Sequence, residues 1–203
     1  MRTVAGVDLG TQSVKAVICD ETLRVLGDHA VPIATAHPHA GWAEQAPASW
    51  EVAVAAALTG ALAASGIDPR AVAALAITGQ LDGCVAVDAS GAPLHPALIW
   101  QDRRAVDHAG DRARVFAIAG QVADPSHLAP KLAWLRARGV RAARWHEPTS
   151  YVTARLTGEH VLDPALASTT MLCDLRAGVW SAELCAAVAV AERELPAIRP
   201  ATS

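Results

Sequence analysis

The sequence predicts an α/β fold for this chain of 203 residues. Its N-terminal third contains apolar runs that alternate with polar positions, as strands with one buried face do. Residues 47–64 then change to a helical period, and a further apolar run follows at residues 72–77. Hydrophobic residues make up 52% of the chain and charged residues 18%, which predicts a folded chain with a core. Strands, helix and strands in this order indicate a sheet layer with helical cover.

The first three predicted strands form an antiparallel meander. They cover residues 4–8, 13–20 and 23–33. A turn around Gly10 joins the first pair, and Asp20 begins the turn to the third strand. Each connection is too short for anything but a hairpin, so neighbouring strands must run in opposite directions.

An amphipathic helix is predicted over residues 47–64, ended by Gly66. Its apolar face is marked by residues four apart: Trp50, Val54, Leu58 and Leu62. Two further strands are predicted at residues 72–77 and 84–87, the second ended by a turn at residues 88–91.

The second half of the chain is predicted to be mostly helical. The expected helices cover residues 103–119, 130–138, 148–156 and 181–192. Gly139 and Gly158 follow two of them as stop signals. Residues 195–200, rich in proline, resemble a linker or a domain edge.

Charge and composition argue against several classes of partner. A net charge of -3 gives no broad positive field for nucleic acid or anionic membranes. The stretch of residues 52–67 lacks ionisable side chains but is short of a membrane span, and no secretory signal precedes Asp8. Four scattered cysteines without a CxxC pair predict reduced thiols in a soluble, cytoplasmic protein: Cys19, Cys84, Cys173 and Cys185.

A phosphate-binding hairpin is the strongest local candidate for chemistry. Asp8 ends the first strand, Gly10 allows main-chain amides to turn toward a ligand, and hydroxyls and Lys15 follow. Such a set suits the phosphates of a magnesium nucleotide. It is neither a P-loop nor a Rossmann turn, because GxxxxGK[ST] is missing and a strand follows instead of a helix. The alternative is an ordinary hairpin turn.

Two polar segments are candidates for binding a polyhydroxylated ligand. In the segment Thr78-Gly79-Gln80-Leu81-Asp82-Gly83, Gln80 and Asp82 offer an amide and an acceptor to hydroxyl groups. In the segment Trp100-Gln101-Asp102-Arg103-Arg104, an aromatic face stands beside a carboxylate. The alternatives are a strand-connecting turn for the first segment, and a core tryptophan with solvated arginines for the second.

Together these segments resemble the N-terminal domain of the FGGY carbohydrate kinases, and the xylulokinase branch most of all. The resemblance spans essentially the whole chain. It is carried by VDLGTQSVKA at 7–16, GWAEQAP at 41–47, ITGQLDG at 77–83, GAPLHPALIWQDRR at 91–104, KLAWL at 131–135, TSYVTARLTGE at 149–159 and LASTTMLCDL at 166–175.

The resemblance implies a ribonuclease H-like, actin-type ATPase fold, with a mixed sheet flanked by helices. Residues 1–203 would be the N-terminal domain, and a second, ATP-binding domain C-terminal to residue 203 would supply the catalytic aspartate. Asp8 would lie near Mg2+, indirectly bound. The ATP phosphates would meet Gly10, Thr11, Gln12, Ser13 and Lys15. The sugar would meet Gln80, Leu81, Asp82, Trp100 and Asp102.

The resemblance implies ATP-dependent phosphorylation of a sugar hydroxyl. The first candidate for the substrate is a ketopentose such as xylulose. A homodimer is left open. Xylulokinases commonly show Met-His-Gly where this chain has Leu81-Asp82-Gly83. Because an aspartate offers a sugar different hydrogen-bonding groups from a histidine, another ketopentose or a polyol is also open as the substrate. A truncated, non-catalytic sugar-binding or sensor module is the main alternative. Another actin-like ATPase, a chaperone or filament protein, is the third, and the segment from Trp100 argues against it.

Overall fold

A computed structural model of the chain describes residues 2–202. The strands in these residues are β1 (Thr3–Leu9), β2 (Ser13–Asp20), β3 (Val25–Pro32), β4 (Glu44–Gln45), β5 (Val72–Gly79), β6 (Val85–Val87), β7 (Ala97–Leu98), β8 (Arg144–His146), β9 (Val161–Leu162), β10 (Cys173–Asp174), β11 (Val179–Trp180) and β12 (Ala197–Ile198). The α-helices are α1 (Pro47–Ser65), α2 (Arg112–Ala119), α3 (Leu128–Ala137), α4 (Pro148–Thr157), α5 (Pro164–Thr169) and α6 (Ala182–Ala187). Short 3-10 helices cover Pro69–Ala71, Val106–His108 and Glu192–Glu194.

The chain divides into two compact units. Unit 1 contains the residues up to Thr35 together with Ala46–Gln80. Unit 2 contains Ala36–Gln45 and the residues from Leu81 onward. Each unit is therefore built from two separate stretches of chain.

Unit 1 is a four-stranded mixed sheet with the strand order β3-β2-β1-β5. The β1–β2 and β2–β3 pairs are antiparallel, and β5 runs parallel to β1. The predicted meander is confirmed, and so is the α/β class. Helix α1 provides the connection that a parallel strand requires.

Alternation along β1 and β2 places one face of the sheet in the core. The buried side chains on these two strands include Ala5, Val7, Leu9, Val14, Ala16 and Ile18. Helix α1 packs against β2 and β3 on the same sheet. The intervening residues, Asp8 among them, lie on the opposite face because successive side chains of a strand alternate.

Helix α1 begins at Pro47 and is followed by Gly66, close to the predicted bounds. Gly66 has a φ of 66° and its N–H donates to the carbonyl of Leu62 at 3.1 Å, a left-handed end that favours glycine. The predicted apolar face is only partly right. Trp50 and Val54 are buried as predicted, but Leu58 and Leu62 are half-buried. The rest of the buried face is alanine: Ala53, Ala57 and Ala61.

The reason for this small face is a close approach between α1 and β3. A Cβ on Gly27 would lie 2.6 Å from the carbonyl oxygen of Ala61 and 2.4 Å from the main-chain nitrogen of Ser65. Only glycine on the strand and small residues on the helix permit such packing. A leucine stripe would have held the helix farther from the sheet.

Helix α1 is also the one helix, among residues 2–202, long and apolar enough to cross a membrane by length and composition. The core helix of a globular unit passes the same test. Here Trp50, Val54 and the small residues of α1 are buried against the sheet of unit 1. We therefore interpret α1 as a core helix.

Unit 2 combines short strand pairs with helices around a larger core. The β4–β7, β6–β8 and β10–β11 pairs are antiparallel, and β9–β12 is parallel. The core includes Leu132, Trp145 and Leu172, all without exposed area. All four cysteines of the chain are free and buried, as predicted for reduced thiols.

Two predicted helices of unit 2 are too long. The helix predicted over 103–119 begins only at Arg112, because Gly110 has a φ of 80° and the side chain of Asp111 caps the N–H of Arg114 at 2.9 Å. The helix predicted over 181–192 ends at Ala187, and Ala189 two residues later has a φ of 55°. In both cases a left-handed residue, invisible in the hydrophobic pattern, interrupts the helix.

Of the two interpretations of residues 195–200, a linker or a domain edge, the linker is wrong. Strand β12 in this segment pairs with β9, and Leu195 is buried. The indole N–H of Trp180 donates to the carbonyl of Pro196 at 2.8 Å. Proline made the segment resemble a linker, although edge strands tolerate proline where no ladder hydrogen bond is needed.

Candidate functional site

The predicted phosphate turn in unit 1 is a tight hairpin between β1 and β2. The N–H of Gly10 donates to the carbonyl oxygen of Ser13 at 3.1 Å. A Cβ at position 10 would lie 2.9 Å from that oxygen and 3.8 Å from Oδ2 of Asp8. The turn therefore requires glycine, and the space that a side chain would fill lies beside the Asp8 carboxylate.

Asp8 and Lys15 are opposite each other in the β1–β2 ladder. Side chains at paired positions share one face of a sheet, and this is the face away from the buried side chains of β1 and β2. Lys15 is exposed and Asp8 half-buried. One acid and one base thus stand together at the end of the hairpin, next to the half-buried Thr11 and Ser13.

These residues fit an indirectly held Mg2+ and the phosphates of a nucleotide. Among the described residues, no group of three or more histidine, cysteine, aspartate or glutamate side chains could form a protein cage for a metal. Mg2+ needs no such cage, since it commonly keeps several waters and takes one or two carboxylates plus phosphate oxygens. Asp8 with the hydroxyls of Thr11 and Ser13 offers only hard oxygen groups, which suit this ion. Gln12 is exposed, and its carbonyl accepts the N–H of Ile33 at 3.0 Å.

The predicted sugar segment contains the point at which the chain passes from unit 1 to unit 2. Gln80 is the last residue of unit 1; it is buried, and its N–H donates to the carbonyl of Leu9 at 2.8 Å. Leu81 and Asp82 belong to unit 2. Leu81 is 41% exposed, whereas Asp82 is 7% exposed and has a φ of 60°.

The Asp82 carboxylate is paired with a histidine that the sequence did not single out. Nδ1 of His127 lies 3.0 Å from Oδ1 of Asp82. This contact is a hydrogen bond in the tautomer that has the proton on Nδ1, because a carboxylate oxygen accepts it. In that tautomer, Nε2 of His127 and the second oxygen of Asp82 are the acceptors that the pair offers.

Two fully buried residues of opposite charge contact the main chain beside Asp82. The ammonium group of Lys131 donates to the carbonyl oxygens of Asp82 and Ser126. Oε2 of Glu147 accepts the N–H of Gly83 at 3.1 Å. Burial lowers the pKa of Lys131 to about 8 and raises the pKa of Glu147 well above its usual range.

The sequence held one signal for this arrangement. Lysine occurs twice in the chain, at positions 15 and 131, among 17 basic residues. A chain that otherwise uses arginine and keeps lysine at two positions indicates that a compact, flexible cation is needed there. His127 and Glu147 carry no comparable signal, because only the fold brings them to Asp82.

The second predicted sugar segment separates into an exposed and a buried residue. Trp100 is 44% exposed, so part of its ring can still meet a ligand. Asp102 has no exposed area and accepts N–H groups from Ala43 at 2.7 Å and from the main chain of Arg104 at 3.1 Å. It also accepts from Nη2 of the Arg104 guanidinium at 2.6 Å. Its observed role in unit 2 is structural, and contact with a sugar stays a prediction.

Arg104 is not the solvated helix-start residue that the sequence suggested as an alternative. Its side chain is 1% exposed and forms an ion pair with Glu44 at 2.7 Å. The guanidinium carbon lies 3.6 Å from the ring centroid of Trp42. Arg103 is exposed as expected and pairs with Asp124. Arg104 thus joins the motif at 91–104 to the motif at 41–47 through its contacts with Trp42 and Glu44.

Known proteins are similar to this chain over almost its whole length. The family model for the FGGY family of carbohydrate kinases, N-terminal domain, matches residues 3–203. A glycerol kinase of Cereibacter sphaeroides is 34% identical over 216 residues, which cover 98% of this chain and 44% of that protein. A xylulose kinase of Klebsiella pneumoniae is 32% identical, over 95% of this chain and 41% of that protein.

Solved structures show the same fold. The crystal structure of a xyloylose kinase from Brucella ovis has a TM-score of 0.93 and 32% identity, over 98% of this chain and 43% of that one. The xylulose kinase of Rhodospirillum rubrum has a TM-score of 0.90 and 27% identity, over 98% of this chain and 43% of that one.

The chain therefore belongs to the FGGY family of carbohydrate kinases, and its fold is the actin-like ATPase fold expected from the resemblance. It spans less than half the length of the curated relatives it matches.

Proposed function

We propose that the full-length protein containing this chain transfers the terminal phosphoryl group of ATP to a hydroxyl of a small sugar or polyol. The hairpin that contains Asp8 and Gly10 supplies the first phosphate contacts, and the segments that contain Asp82 and Trp100 supply sugar contacts. The observation that carries the proposal is the Asp8–Gly10 hairpin. Its carboxylate stands beside a space that only glycine leaves open, in a chain that matches a family of kinases.

On the phosphate side, the residues position and neutralise charge, which is most of what a protein contributes to phosphoryl transfer. Gly10 brings main-chain atoms close to a phosphate, and Thr11, Gln12 and Ser13 surround the same turn. Lys15 adds a positive charge on the face of Asp8. Mg2+, held indirectly by Asp8 and by phosphate oxygens, supplies further neutralisation when bound.

On the sugar side, the proposal assigns hydroxyl recognition to Asp82 together with His127. Carboxylate and imidazole acceptors bind hydroxyl donors, and Leu81 and Trp100 add exposed apolar surface against the carbon skeleton. Gln80 and Asp102 stay in the proposed set, with Asp102 holding the segment that carries Trp100. The general base would come from a second domain C-terminal to residue 203.

Glycerol and D-xylulose are the two substrates to test first. The relative at 34% identity is a glycerol kinase and the relative at 32% identity is a xylulose kinase. Asp82 replaces the histidine common in xylulokinases, so the donor that a ketopentose would meet there is absent from this position. We expect a cytoplasmic location, where the four free thiols stay reduced.

The test is a coupled assay of ADP formation by the full-length protein with Mg-ATP and glycerol, D-xylulose or no acceptor. The expected result is acceptor-dependent ADP formation with one of the two. The variant Asp8→Asn, which keeps the side-chain size, should abolish it. Calorimetric binding of an acceptor without ADP formation would instead favour the non-catalytic sugar-binding module.

A further inference from the structure

Asp82 has a main-chain conformation that the surrounding structure must hold. Its φ of 60° lies in the left-handed region, which non-glycine residues enter at a cost. The next residue, Gly83, has no room for a side chain, since a Cβ there would lie 2.5 Å from Cγ of Pro148. The residue that offers its carboxylate to a ligand is thus followed by a tightly packed one.

Two buried side chains fix this short segment from separate elements. Lys131, in α3, donates its ammonium group to the carbonyl oxygen of Asp82. Glu147, the residue before α4, accepts the N–H of Gly83 at 3.1 Å. The carbonyl and the N–H of one peptide group, the one that joins Asp82 to Gly83, are therefore both hydrogen-bonded to buried ionisable side chains.

This arrangement costs more free energy than a purely structural contact needs. Neither Lys131 nor Glu147 has exposed area, and burying an ionisable group costs free energy that apolar packing does not. The other carboxylate oxygen of Glu147 is buried and has no hydrogen-bond partner among the described residues. Of the two carboxylate oxygens of Glu147, only the one that accepts the N–H of Gly83 is therefore hydrogen-bonded among the described residues.

We propose that Lys131 and Glu147 are positioning residues, which hold Asp82 left-handed so that its carboxylate and His127 meet a sugar hydroxyl. This inference rests on the proposed function of Asp82 in sugar binding. It adds that Lys131 and Glu147, which do not touch the sugar themselves, determine the geometry of the contact between Asp82 and the sugar.

The test uses the full-length protein with glycerol and D-xylulose as acceptors and Mg-ATP as donor. Lys131→Met removes the ammonium group and Glu147→Leu the carboxylate, at similar side-chain volume. Each should raise the KM for the acceptor about ten-fold or more, as small misplacements of substrate contacts do. The KM for ATP should stay within about two-fold of wild type. Glu147→Gln keeps a carbonyl acceptor for Gly83 and should stay close to wild type.

The control is the same pair of substitutions in an Asp82→Gly background. Glycine adopts the left-handed conformation freely but lacks the carboxylate. If Lys131 and Glu147 act through Asp82, then Lys131→Met and Glu147→Leu should raise the acceptor KM no further in this background. A purely structural role would instead add its loss in both backgrounds.

Hydrogen exchange of the Gly83 amide gives a second readout that does not depend on activity. Glu147→Leu should speed its exchange, and Glu147→Gln should leave it nearly unchanged. If Lys131→Met does not fold, this comparison still decides the matter.

The outcomes separate the two proposals. An unchanged acceptor KM in Asp82→Gly, or neither ADP formation nor calorimetric binding with glycerol and D-xylulose, overturns sugar binding at Asp82 and the inference with it. A raised KM in Asp82→Gly, with Glu147→Leu like wild type in KM and in Gly83 exchange, overturns the positioning role alone.

Discussion

Replacing Arg104 with alanine should destabilise the protein by several kilocalories per mole. The Arg104 side chain is 1% exposed and forms ion pairs with Asp102 and Glu44. It also stacks on Trp42 at 3.6 Å. Asp102 has no exposed area, so without the guanidinium its charge stays buried with only main-chain donors.

The magnitude follows from the burial of the pair. Removing one partner of a buried ion pair costs about 3–5 kcal/mol, because the remaining charge is left uncompensated. Loss of a desolvated cation–π contact, about 2 kcal/mol, moves the expected value toward the upper end of that range. Arg104→Lys should recover little, since an ammonium group cannot reproduce the planar fork.

The assay is urea unfolding followed by tryptophan fluorescence, with Arg103→Ala as the matched control. Arg103 is the neighbouring arginine, but its side chain is 51% exposed and its partner Asp124 33% exposed. An exposed pair contributes about 1 kcal/mol or less. Equal losses of unfolding free energy in the two variants would refute the reasoning, which assigns the larger loss to the buried ion pairs and the stacking of Arg104.

Four further predictions concern the turn, the helix packing and the pH dependence of two buried side chains. Gly10→Ala should lower kcat/KM for ATP by about ten-fold or more, since its Cβ would lie 2.9 Å from the Ser13 carbonyl oxygen; an equal change in the acceptor KM in steady-state kinetics would contradict a role confined to phosphate. Gly60→Ala should cost about 1–3 kcal/mol in urea unfolding, because its Cβ would lie 2.3 Å from the His29 ring, and His29→Ala should restore only part of that loss because Cβ of residue 29 would still lie 2.8 Å away. The hydroxyl of Thr22 is the main group that lowers the pKa of Asp20 to about 2 from 3.8. The stabilisation by Asp20 is therefore present above about pH 4 and lost toward pH 2. The gap in urea midpoint between wild type and Asp20→Ala should close over that interval, and a gap that persists at pH 2 would count against it. Burial lowers the pKa of His146 to about 3 from 6.5. The unfolded chain therefore binds a proton at this histidine before the folded chain does, and the protein should lose stability as the pH falls from about 6.5 to about 3. In urea unfolding, His146→Gln should remove this part of the pH dependence.

Unit 1 was predictable because its determinants are local. The alternation in β1 and β2, the glycine turn and the Pro47 and Gly66 boundaries of α1 can all be recognised within a few residues of sequence. The face of α1 was not, because the alanine stripe reflects the close approach of Gly27 on another element. A side chain's burial there depends on a neighbour that the helical period does not reveal.

The candidate site in unit 2 was predictable only in part. Asp82 and Trp100 were identified from their polar and aromatic surroundings. The partners of Asp82 were not, because Lys131 lies 49 residues further along the chain and Glu147 lies 64 residues beyond Gly83. Buried charges at such separations follow no local pattern. Arg104 was misjudged for the same reason, since its aromatic and acidic partners Trp42 and Glu44 come from an earlier segment.

The measurement that tests the central claim most directly is acceptor-dependent ADP formation by the full-length protein and its Asp8→Asn variant. The account predicts turnover with glycerol or D-xylulose in the wild type and its loss in the variant, while both unfold at the same urea concentration within error. Wild-type protein that folds but forms no ADP with either acceptor, or a variant that retains full turnover, would contradict it.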